Sequence, residues 1–115
     1  MNPRAYGIVR ADLAPEAVDG HVHAIRAFAV ERGWDLRAVF VEPSDAWFPM
    51  LVASIGAPGN WSVVVPTSAH LGGWMDVVRQ SVEVWTLHPP MRRPCTGTGR
   101  YLRRGGDAPF GTGIP

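Results

Sequence analysis

Ser62-Val63-Val64-Val65, ended by Pro66, decides the fold class. Three β-branched side chains in a row, with no polar alternation, describe a strand buried on both faces. Upstream, Ala5-Tyr6-Gly7-Ile8-Val9 is a second short apolar run, and Asp35-Leu36-Arg37-Ala38-Val39-Phe40-Val41 a third. Downstream, Glu83-Val84-Trp85-Thr86-Leu87 is a fourth. Between the second and the third of these, Val18, Val22, Ile25 and Ala29 recur at helical spacing, with Phe28 bordering the stripe. Pro15 suits the first turn of that helix, Arg32 suits its last turn, and Gly33 suits the left-handed residue that ends it. Phe48 to Ile55 reads as a short second helix and about Gly73 to Ser81 as a third. The order is β-α-β-α-β-α-β. Alternating strands and helices make a three-layer α/β domain, with helices on both faces of a parallel sheet. Ligands gather at the carboxyl ends of such strands. Here those ends are Arg10-Ala11-Asp12, Glu42-Pro43-Ser44 and Pro66 to Leu71.

The 115 residues suffice for one domain. All 11 basic residues are Arg, set against 10 acids, for a net charge of +1. That balance excludes a strongly basic nucleic-acid coat and an acidic tail protein. The charge is unevenly spread. Residues 1–90 hold six Arg and nine acids, whereas residues 91–115 hold five Arg and only Asp107. From His88 onward, six Gly and five Pro fall in 28 residues. This composition predicts an α/β domain over 1–90 and a disordered Gly/Pro/Arg-rich tail over 91–115, with Pro89-Pro90 stopping the fourth strand.

A single cysteine, Cys95, allows no internal disulfide and no cysteine-cluster zinc site. No apolar run approaches 18 residues, and Met1-Asn2-Pro3-Arg4 leads into no signal-peptide stretch. A soluble cytoplasmic protein with no membrane contact is the expectation. His21 and His23 lie about 200° apart around a helix and cannot share a metal. His88 and Cys95 are too isolated for zinc. Gly97-Thr98-Gly99 starts like a dinucleotide fingerprint, but Leu102 stands where the third glycine belongs. The sequence therefore implies no metal and no cofactor.

The strand ends also carry a family resemblance. Tyr6-Gly7-Ile8-Val9-Arg10-Ala11-Asp12 resembles the opening of the serine recombinase (resolvase/invertase) catalytic domain, a strand, an arginine and then the nucleophilic serine. Ala24 to Ala29 followed by Gly33-Trp34 resembles that family's first helix and its exit. Ala38-Val39-Phe40-Val41-Glu42 resembles its second strand. Val63-Val64-Val65 followed by His70-Leu71-Gly72 resembles the strand and L-D-R-L-G-R motif. The resemblance covers residues 5–88 and implies a four-stranded parallel sheet of order 2-1-3-4.

The family transfers a phosphoryl group to the serine hydroxyl, and arginines stabilise the charge on the phosphate oxygens. Arg10 matches the family arginine, but Asp12 stands in the serine position. Ala69-His70 replaces Asp-Arg of the second motif, and Gly73 its final arginine. No Arg lies between Arg37 and Arg79, where the family places active-site arginines. The resemblance thus implies an inactive member with a vestigial pocket of Arg10, Asp12, Ser68 and His70, not an enzyme. Ser68, His70 and Asp12 are also the residue types of a Ser-His-Asp set, though no nucleophile-elbow motif accompanies them. A small anion beside Arg10 is a further reading of the pocket.

The expected partner is another protein or a second copy. Trp47 and Phe48, in and beside a loop, are the candidate interface residues, since such aromatics are enriched at interface hot spots. The alternative is a resolvase-related DNA-binding or recombination protein. It would contact phosphates through Arg92, Arg93, Arg100, Arg103 and Arg104 of the tail, around Tyr101.

Overall fold

A computed structural model describes residues 3–55 and 61–96. Strand β1 (Arg4–Arg10) leads through a 3-10 turn into helix α1 (Val18–Arg32) and strand β2 (Asp35–Glu42). Helix α2 (Phe48–Ile55), strand β3 (Trp61–Val65), helix α3 (Met75–Arg79) and strand β4 (Glu83–Leu87) follow. A further strand, β5 (Pro90–Arg93), completes the described chain. The sheet order is β2-β1-β3-β4-β5. The first four strands are parallel, and β5 is antiparallel to β4.

The four expected strands therefore stand in the expected order, but the sheet has five strands and is mixed. Proline is barred from a central ladder, yet it is tolerated as the first residue of a strand and on an edge. Pro90 occupies both roles, opposite Leu87, while His88 and Pro89 make the turn. The boundary placed at residue 90 thus falls inside the sheet. Arg92 and Arg93 lie on β5, and the Thr96 N–H donates to the Arg79 carbonyl at 2.7 Å. The expected disorder over 97–115 lies outside the described residues.

The end of α1 acts as the sequence suggests. Gly33 takes φ of 70° and its N–H reaches back into the last turn of α1. Pro15, by contrast, opens a separate 3-10 turn, Pro15–Ala17. The third helix, expected over about Gly73 to Ser81, is a 3-10 turn over Gly72–Trp74 and α-helical only over Met75–Arg79. Side chains alternate across the sheet into two cores. Ile8, Val63, Val65 and Val84 pack with Phe48, Leu71, Val78 and Val82, beneath α2 and α3. Val9, Val64 and Leu87 pack with Ile25 beneath α1, flanked by Val18, Val22, Phe28, Trp34, Val39 and Trp85. Val63, Val64 and Val65 are all fully buried, as a strand covered on both faces requires.

Trp34 and Trp85 join the second core with Phe28, at ring separations of 5.5 to 5.8 Å. The Arg32 guanidinium caps this triangle, 4.6 Å from Phe28 and 4.3 Å from Trp85. A cation over aromatic faces is attracted by their quadrupoles, which ties the end of α1 to the sheet.

Candidate functional site

At the carboxyl end of β1, the strand brings Arg10 and Asp12 to one rim of the sheet. The Arg10 Nε donates to Asp12 Oδ1 at 3.1 Å and its Nη2 to Oδ2 at 2.6 Å. This two-pronged geometry fixes the guanidinium as well as neutralising it. The hydrogen bond to Asp12 raises the Arg10 pKa, against burial, with the charges of Asp12 and Asp45 adding to it. The same bond holds the Asp12 carboxyl below its ordinary value.

His70 ends the 3-10 turn Ser68–His70, just beyond β3, and is buried. Its Nδ1 accepts the Arg10 backbone N–H at 2.9 Å. Burial pushes the His70 pKa down. His21 and Arg10 push it further, and Asp12 opposes them. The neutral ring with an accepting Nδ1 carries its proton on Nε2. The His21 ring meets it edge-on, 5.3 Å away.

This geometry does not support a nucleophilic set. In a Ser-His-Asp arrangement Nδ1–H donates to the carboxylate and Nε2 takes the serine proton. Here Nδ1 is an acceptor, and the Asp12 carboxylate is engaged by Arg10. Ser68 is exposed, and no hydrogen bond joins it to His70 among the described residues. The charge is equally unsuited to phosphate. One guanidinium faces the carboxylates of Asp12 and Asp45.

A second feature lies between α2, the loop before it and the edge strand β2. Phe40 and Glu42 of β2, with Trp47, Met50 and Leu51, line a groove of about 390 Å³. Trp47 is 54% exposed, whereas Phe48 is 1% exposed and belongs to the core. The aromatic pair is thus split, and only Trp47 offers surface.

The basic residues expected to meet nucleic acid are placed differently. The Arg92 Nε donates to Glu83 Oε1 at 2.8 Å. Glu83 also accepts from the Ser62 hydroxyl at 2.5 Å and from the Trp85 indole at 3.0 Å. Burial alone raises the Glu83 pKa, but these bonds and the Arg92 charge outweigh it and leave the carboxyl below its ordinary value. The Arg93 Nε is buried with no hydrogen-bond partner among the described residues. Arg100, Arg103 and Arg104 lie outside the described residues. No group of three or more His, Cys, Asp and Glu among the described residues could hold a metal. No helix among them is long and apolar enough to cross a membrane.

No spacing in the sequence signals the contact of His21 with His70, because the two are distant in the chain, and the groove is hidden from the sequence for the same reason. Compared with protein families, curated proteins and solved structures, the chain matches none.

Proposed function

We propose that the chain is a cytoplasmic serine-recombinase-like domain that performs no strand exchange and works through protein–protein contact. The observation that carries this reading is the bidentate pair of Arg10 with Asp12. Phosphoryl transfer to an enzyme serine needs a hydroxyl at that position and guanidinium donors left to hold the phosphate. A carboxylate there takes up the arginine and repels the phosphate. The order of the first four strands and the convergence of Arg10, Asp12 and His70 at their carboxyl ends support the resemblance. The exposed Trp47 beside an apolar groove supports contact with protein.

The test is incubation of the full chain with supercoiled DNA, followed by denaturing electrophoresis. The expected result is no nicking and no covalent adduct. A covalent protein–DNA adduct would overturn the inactive reading.

A further inference from the structure

The two edges of the sheet differ in kind. β5 is four residues long and begins with a proline that lacks an N–H. It also carries the charged Arg92 and Arg93, the first of them held by Glu83. These are devices by which a sheet edge is protected from other strands. β2 has eight residues, and Ala38-Val39-Phe40-Val41 has no charge and no proline. Every residue of β2 is at least partly exposed, and Val41 is 43% exposed. Among the described residues, no backbone group hydrogen-bonds to its outer side.

The backbone fixes which residues face outward. The Glu42 carbonyl accepts the Ala11 N–H on the β1 side. Strand alternation then directs the backbone groups of Phe40 inward, and those of Val39 and Val41 outward. An extra residue in β2 breaks the register, since Ala5 pairs with Leu36 but Tyr6 with Ala38. Arg37 is left over as a bulge. The regular outer edge therefore begins at Ala38.

We propose that this edge pairs antiparallel with β2 of a second copy, with Phe40 opposite Phe40 at a two-fold axis. This inference rests on the protein-contact reading above and names its partner. In that register Val39 faces Val41 of the other copy, and each such pair exchanges two backbone hydrogen bonds. Four bonds form in all. The two Phe40 rings meet as a close non-hydrogen-bonded pair on the α2 side. Each ring already stacks on its own Tyr6 at 5.7 Å. The two grooves beside Trp47 then become neighbours across the axis. Glu42 falls opposite Ala38 of the other copy, beside that copy's Arg37, whose exposed pair with Asp35 at 3.2 Å it would extend at both ends. Centring on Val39 instead sets Val41 against the bulge at Arg37 and loses two bonds.

The test uses the full chain. Light scattering after size exclusion should give twice the 12.5 kDa of one chain, falling toward one chain on dilution. Hydrogen exchange should show Val39 and Val41 amides protected to a degree that rises with protein concentration. Val41→Pro removes two of the four bonds and leaves the β1 ladder intact, so it should weaken dimerisation at least about tenfold. Val41→Lys, at the same exposed position, serves if the proline variant fails to fold. A monomer at all concentrations, freely exchanging Val39 and Val41 amides in a dimer, or a variant as dimeric as the parent would overturn edge pairing. None of these outcomes creates a DNA adduct, so failure of edge pairing and failure of the inactive reading are separable.

Discussion

Gly7 sits in the middle of β1, and replacing it by alanine tests how closely α1 is seated on the sheet. A Cβ built at Gly7 would lie 2.9 Å from Ile25 Cγ2 and 3.1 Å from Val39 Cγ2. Carbon atoms in contact prefer about 3.5–4.0 Å, so the nearest approach is short by roughly 0.6–1.1 Å. Ile25 is fully buried, and its branched Cβ has one strongly preferred rotamer in a helix. The methyl cannot swing away, and α1 must lift from the strand. Overpacking of this kind costs about 1–3 kcal/mol. Alanine recovers about 0.5–1 kcal/mol of the conformational penalty that glycine carries in a strand. The mid-range values leave a net loss of about 1 kcal/mol, or a fall in melting temperature of roughly 4–8 °C. Thermal unfolding followed by circular dichroism measures it. The Ile25→Ala background removes the nearest clashing carbons and leaves only Val39 Cγ2, so there Gly7→Ala should cost clearly less than in the parent. An unchanged or raised melting temperature in the parent background would refute the close seating, as would additive losses in the double variant.

His70 gives a pH dependence. Its folded pKa lies below the ordinary value, so the unfolded chain binds more protons there. Its contribution to stability is full above about pH 6.5 and is lost as pH falls through the folded value. His70→Gln should flatten the fall in melting temperature between about pH 7.5 and about pH 5, and parallel profiles would refute the assignment. Glu83→Ala leaves Ser62, which is 3% exposed, and the Trp85 indole without their acceptor. The expected loss in urea unfolding is about 1–3 kcal/mol, and a loss below about 0.5 kcal/mol would count against the network. Truncation after Pro90 removes the rest of β5 and the Arg92–Glu83 pair, and should lower the melting temperature by about 5 °C or more. Asp12→Ser should yield no covalent DNA adduct, because Ala69-His70 and Gly73 supply no further guanidinium.

The periodic parts of this protein are legible in its sequence because they depend on near neighbours. The stripe Val18, Val22, Ile25 and Ala29 lies on α1, and α2 runs from Phe48 to Ile55 as its pattern suggests. Val63-Val64-Val65 had to be covered on both sides, since three adjacent side chains point alternately to two faces. Those facts determine an α/β sandwich, with Arg10 at the carboxyl end of β1 and His70 just beyond that of β3. Tertiary structure decided what depends on distance along the fold. Pro90 could end the sheet or begin an edge strand, and only the position of β4 selects the second. Trp47 and Phe48 look alike in sequence, but the seating of α2 buries one ring and exposes the other. Arg10, Asp12 and His70 were nameable as strand-end residues. That the Arg10 amide takes His70 Nδ1, which bars the ring from a serine-histidine relay, follows from a hydrogen bond across 60 residues. Local spacing carries no information about such a contact, because the relative placement of β1 and β3 is set by packing of the whole sheet.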